Sequence, residues 1–348
     1  MKLWDRIRHT GRRKAGADVL AELADDAALP LVPDQHYFRV LLAQMHLADR
    51  STLLSHWLPG AHVDVSYTRQ DAAPVRYSKV MRPDLRHLAE GARINYPITD
   101  LVPYRGGVVE IDAVLFGLRT GTRLDLAVDV LQAVSGLQLP AVGPAVAVAS
   151  QVSAAARALV DSGDGVAHLT VHQSYLAGGA VNAGNTLRPL YLAALQHSDA
   201  TPAPAALRVV NDRLHTTAAG APQPLLGVDF LLLRIEARPD RDDFWLPDLE
   251  LFLSKAIAAR RNGNHTAAEA YRQDAIAAAW DSPTLTWVDR DRVVAAVKAR
   301  FAAVADAGLG VTGRTEPRSL RELVETYGPS TDLVLARGPT HRSAADGR

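Results

Sequence analysis

Residues 61–68 read AHVDVSYT, and they alternate without exception. Val63, Val65 and Tyr67 fall on one side, and His62, Asp64 and Ser66 on the other. A half-buried β-strand satisfies that period of two, whereas a helix would scatter the same residues around its axis. PVRYSKV (74–80) follows a short polar turn and reads as the hairpin partner. Further strand-patterned stretches are GVVEIDAVLFGL (107–118), GVAHLTVHQSYL (165–176), RPLYLAALQ (188–196), AALRVVNDRLH (205–215) and GVDFLLLRIEAR (227–238). Joints bearing Gly and Pro separate several of them: YRGG, GGAVNAGN, TPAPA and AAGAPQPLLG. These strands are not each followed by a crossover helix, so the pattern predicts an antiparallel sandwich rather than a parallel sheet.

The flanks read as helical. From Ala17 to Trp57, ADVLAELADDAA is rich in helix formers, and Tyr37, Val40, Leu41 and Met45 recur at one-face spacing behind Asp34 as a cap. After Pro247 come DLELFLSKAIAARRNGNHTAAEAYRQDAIAAAW, DRDRVVAAVKARFAAVADA and PRSLRELVETY. The expected class is α+β, an antiparallel β-sandwich core with an inserted α-hairpin and flanking N- and C-terminal helical regions. The expected divisions are a helical region at 1–58, a sandwich at 59–246 with its hairpin at 123–160, a helical region at 247–328 and a disordered polar tail at 329–348.

The inserted segment is unusual in composition. Residues 130–156 carry no charge in a chain that is 22% charged. Pro140, Gly143 and Pro144 divide the run, so each half is one short helix rather than a membrane span. Gln132, Ser135, Gln138, Ser150, Gln151 and Ser153 keep polar groups on both halves. An α-hairpin packed on the sandwich or on another subunit is the simpler expectation, and a conditionally exposed, membrane-entering segment is the alternative.

Lys plus Arg and Asp plus Glu stand at 38 each, which argues against a surface built to wrap nucleic acid. The absence of Cys excludes disulfides, thiolate zinc sites, iron–sulfur clusters and cysteine nucleophiles. The basic start lacks the apolar run of a secretory signal, so the expected location is cytoplasmic, with peripheral membrane contact through Trp4 and its basic neighbours as an option.

No motif names a reaction. GLGVTG (308–313) matches a dinucleotide pattern but follows a helix instead of a strand, so no cofactor is expected. His168 and His172 lie about 13 Å apart along a strand, too far to share one metal. Glu110 and Asp112 share a strand face and are the weak catalytic candidates. VEIDAVLF resembles the opening of the Glu-x-Asp-x-x-Glu strand of laminarinase-like β-sandwich glycoside hydrolases. That likeness implies Glu110 as nucleophile, but Leu115 stands where the acid/base Glu belongs. Glu236, Asp240, Asp242 and Asp243 are weak calcium candidates, resembling the acidic loops of membrane-docking C2-type domains. Arg238 and Arg241 compete for the same carboxylates. Ala256, Gly263, Ala268 and Ala275 carry the small-residue spacing of a single tetratricopeptide-type hairpin, which it resembles except that Arg272 fills the bulky position.

The preferred expectation is therefore a non-catalytic adaptor that binds a protein partner through its helical hairpins, with homo-oligomers an option. The first alternative is a membrane-engaging protein using residues 124–160, with Trp4, Val142, Val146 and Val152 as contacts. The second is a hydrolase using Glu110 and Asp112.

Overall fold

The computed structural model describes residues 19–25, 29–48, 51–52, 55–69, 73–81, 93–119, 165–177, 185–241 and 246–306. The chain divides into two compact units, one containing residues 39–100 and 105–237, the other residues 31–38, 101–104 and 238 onward.

Most of the sheet residues lie in the first unit. A six-stranded sheet contains β1 (Val19–Ala24), β2 (Tyr37–His46), β6 (Arg93–Pro97), β7 (Val102–Pro103), β10 (Leu190–Leu195) and β14 (Phe230–Arg238), ordered β1-β10-β14-β2-β6 with β7 on β2. A five-stranded sheet contains β3 (Ser51–Thr52), β4 (Ser55–Thr68), β5 (Val75–Met81), β8 (Gly107–Arg119) and β9 (Gly165–Ala177), ordered β3-β4-β8-β9 with β5 on β4. The predicted β4–β5 hairpin is present, with Val65 opposite Tyr77. A small sheet joins β11 (Leu207–Val210), β12 (Arg213–Thr216) and β13 (Gln223–Pro224).

Both faces of the six-stranded sheet are buried. Tyr191, Ala193, Leu195, Phe230 and Leu232 meet Leu207 and Leu214 of the small sheet on one side. The other side carries Leu192, Ala194, Leu231 and Leu233, each 1% exposed or less, as an inner layer requires. Gln44 Oε1 accepts the Leu214 N–H at 2.9 Å, fixing the small sheet in place.

The N-terminal helical expectation is corrected here: residues 19–24 and 37–46 are strands. Nearly every side chain of β2 is buried, so YFRVLLAQMH shows no alternation, and its helix-like spacing is the accident of a run buried on both faces. The helix-forming VLAELA is overridden by its antiparallel pairing with β10, Val19 opposite Leu195. The single strand expected at 205–215 is instead the β11–β12 hairpin. Its tip, Asn211 and Asp212, has φ of 53° and 59°, the backbone of a two-residue primed turn.

Strands β8 and β9 bracket the uncharged segment, which is an insertion between hydrogen-bonded neighbours as expected. The predicted α-hairpin at 123–160, the helix at 317–327 and the polar tail lie outside the described residues.

The second unit is helical, with α1 (Pro247–Arg261), α2 (His265–Trp280) and α3 (Trp287–Asp306). Leu249, Leu253, Ile257, Ala275, Ala279, Val293 and Val297 form its core. Gly263, at φ 73°, ends α1, and Asn264 Oδ1 caps α2 by accepting the Ala267 N–H at 3.1 Å. Ala256, Ala268 and Ala275 are buried, the close approach that their spacing predicts. Arg272, in the place of a bulky apolar residue, reaches over the ring of Phe301 at 5.6 Å, and Arg260 does the same at 4.7 Å.

One polar knot fixes the start of α3. Tyr37 Oη donates to Asp289 Oδ2 at 2.5 Å and accepts the Thr286 N–H at 3.0 Å, while Thr286 Oγ1 accepts the Asp289 N–H at 3.3 Å. Burial, with Asp289 alongside, pushes the Tyr37 phenol well above its ordinary range.

Candidate functional site

The polar face of the five-stranded sheet is set by the alternation that begins at His62. Cross-strand register places Ser78, Asp64, Asp112 and His172 in one row across β5, β4, β8 and β9. The adjoining row carries Arg76, Ser66, Glu110 and Ser174. Neighbouring strands bring facing side chains within about 5 Å of one another at Cβ. Asp64 and Asp112 therefore stand together, and the sequence pairing of Glu110 with Asp112 omits the closer carboxylate.

Each acid in this array has a partner. Arg76 grips both oxygens of Asp64, through Nε at 2.7 Å to Oδ1 and through Nη2 to Oδ2. His172 Nδ1 lies 2.8 Å from Asp112 Oδ1, and Ser66 Oγ donates to Glu110 Oε2 at 3.1 Å. Burial raises the Asp112 carboxyl, and Asp64 and Glu110 add to the rise against the opposing His172. His62, 7% exposed and 3.0 Å from Ser78 Oγ, is pushed down to about 4 by burial, with Arg76 acting in the same direction.

Two neighbouring carboxylates, one gripped by Arg76 and one raised by burial, have the difference of environment that acid–base hydrolysis uses. Asp64, however, is 6% exposed and has both oxygens held by Arg76, so it is screened from a substrate. The arrangement is that of a cross-linked polar sheet face.

The two histidines of β9 have separate partners. A register irregularity leaves His168 between the paired residues Ala167 and Leu169, and its Nδ1 lies 2.7 Å from Asp229 Oδ2. Asp229 Oδ1 accepts the Ala48 N–H at 2.7 Å. Burial alone would raise Asp229, but the His168 and Ala48 hydrogen bonds outweigh it and hold the carboxyl below its usual range.

Of the calcium candidates, Glu236 Oε2 accepts from Arg39 Nε at 3.1 Å and Nη2 at 2.8 Å. The sequence offers Arg238 and Arg241 as its competitors and misses Arg39. Asp240 lies in the second unit, and Asp242 and Asp243 lie outside the described residues. Among the described residues no group of three His, Asp or Glu side chains is placed to hold a metal ion. Trp4, Val142, Val146 and Val152 also lie outside the described residues. No described helix is long and apolar enough to cross a membrane.

A different feature emerges in the helical unit. An open cleft of ≈ 460 Å³ runs between α2 and α3, lined by Arg272, Ile276 and Trp280 from one helix and Asp291, Val294 and Lys298 from the other. At one end Trp287, 56% exposed, packs on Trp280 with ring centroids 5.0 Å apart. The signal was present in WVDRDRVVAAVK, where Trp287, Asp291, Val294, Ala295 and Lys298 share one face. Attention to the small-residue hairpin hides it, because the cleft uses only the second helix of that hairpin.

No protein-family model, curated protein or solved structure matches the chain.

Proposed function

We propose that the protein is a non-catalytic adaptor that engages a protein partner through its C-terminal helical unit. The supporting observation is exposed Trp287, which packs on Trp280 in the wall of the α2–α3 cleft. A large indole left in water beside a groove is among the side chains enriched at the energetic centres of protein interfaces. The polar sheet face, with its carboxylates engaged pairwise, offers no comparable opening.

Co-purification of the tagged full-length chain tests this reading. Trp287→Ala, with the helical signal unchanged, removes the bound partner, whereas Glu110→Gln and Asp112→Asn retain it. A partner set indifferent to Trp287→Ala refutes the proposal.

Membrane engagement by residues 124–160 is the second reading, and one observation favours it. Residues 118 and 165 are paired across β8 and β9, where a few residues suffice for a hairpin, yet the chain places residues 120–164 there. Insertions of that size in a compact domain are commonly functional.

A further inference from the structure

The cleft has polarity as well as depth. On α3, Asp291, Val294, Ala295 and Lys298 stand at i, i+3, i+4 and i+7, so one acid and one base, about 10 Å apart along the axis, bracket Val294 and Ala295. The facing wall on α2 contributes Ile276 and Trp280. Arg272, also in the wall, is bound by Glu269 through Nε at 2.9 Å. Asp291 and Lys298 are both exposed and make no hydrogen bond or ion pair among the described residues. Opposite charges at the two ends of a groove, unpaired among the described residues, with Ile276, Trp280, Val294 and Ala295 between them, specify a complement.

We propose that the cleft binds an amphipathic helix of a partner protein, lying antiparallel to α3, with an acidic residue at i, apolar residues at i+3 and i+4, and a basic residue at i+7. This rests on the adaptor reading and deepens it. The basic residue lies over Asp291 and the acidic one over Lys298. Direction follows from electrostatics, because an acid toward the N-terminus and a base toward the C-terminus suit the partner helix's own dipole. A helix running the other way would need the reverse order, against that dipole. The groove formed between two packed helices accepts the ridge of a third, which favours a helix over an extended peptide. An extended peptide would require a strand edge to pair with, and the cleft walls are helical.

The test titrates two labelled synthetic helical peptides into the full-length protein, followed by fluorescence anisotropy. One carries Glu at i, Leu at i+3 and i+4, and Lys at i+7; the other has Gln in place of both Glu and Lys. The first binds about tenfold tighter, from two rim charge pairs each contributing a factor of about two to five. In the double variant D291N/K298Q, whose two sites are exposed and whose helicity is checked by circular dichroism, the preference disappears. Equal affinities, or a preference that persists in the double variant, overturn the assignment. If neither peptide binds while Trp287→Ala still strips a partner, the helix assignment falls and the adaptor reading stands; if Trp287→Ala strips nothing either, both fall. Binding that emerges only in a chain ending at Asp306 gives the cleft to this protein's own C-terminal segment and overturns the partner assignment.

Discussion

His62 makes the sheet acid-sensitive in a calculable way. Its imidazole is 7% exposed, hydrogen-bonded to Ser78 and flanked by Asp64 and Arg76. Its proton affinity falls from the ordinary 6.5 to about 4. The unfolded chain takes up a proton near pH 6.5 and the native chain does not, so the stability held above that pH drains away as pH falls toward 4. Linkage between those two affinities gives a loss of about 2 kcal/mol by pH 5 and about 3 kcal/mol by pH 4. His62→Gln retains a group able to bond Ser78 but does not titrate. Urea unfolding of both proteins at pH 7, 5 and 4 isolates the histidine, because Asp112 and Asp229 contribute their own slopes equally to each. The native protein should lose about 3 kcal/mol more than the variant between pH 7 and pH 4. Parallel pH profiles, or an imidazole resonance of His62 that titrates near 6.5, would refute the argument.

Tyr37→Phe removes a hydroxyl that serves both Asp289 and the Thr286 N–H, leaving two buried groups short of a partner, and should cost about 2–3 kcal/mol in equilibrium unfolding of the helical signal. A cost under about 0.5 kcal/mol would show that Arg292 and water compensate. Gly107 sits at φ +109°, and a Cβ there would come 2.2 Å from the Thr68 carbonyl oxygen, so Gly107→Ala should destabilise the β4–β8 pair by more than about 2 kcal/mol, read as a fall in thermal midpoint. Flotation with anionic liposomes at high salt, beside a folded chain whose residues 130–156 are replaced by a Gly/Ser linker, decides the membrane reading. Salt-resistant flotation abolished by the linker supports it, and a native protein that fails to float removes it.

The half-exposed sheet was legible because its strands alternate: Val63, Val65 and Tyr67 are buried, and Asp64 and Ser66 join the polar array. Strand β2 was not, since burial on both faces erases the period that distinguishes a strand from a helix. The α1–α2 hairpin was legible through Gly263 and the alanines that bring its helices together. The site was harder. Periodicity placed Glu110 and Asp112 on one face, but only register brings Asp64 beside Asp112 and His172 onto it, and register is a property of pairing between strands distant in sequence. Likewise, the Trp287 stripe becomes a cleft only once α2 supplies the facing wall.

The long pairing of β8 with β9, running from Gly107 and Ala177 out to Leu118 and Gly165 with one irregularity at His168, makes the end of that ladder a socket for the intervening segment. Once the ladder has brought its ends together, the length of what hangs between them matters little; doubling it costs only about 0.6 kcal/mol in closure entropy. By this closure term alone, the ladder tolerates a change in the length of the connection between residues 119 and 165. A foreign domain whose termini lie close together should be accepted at the same address.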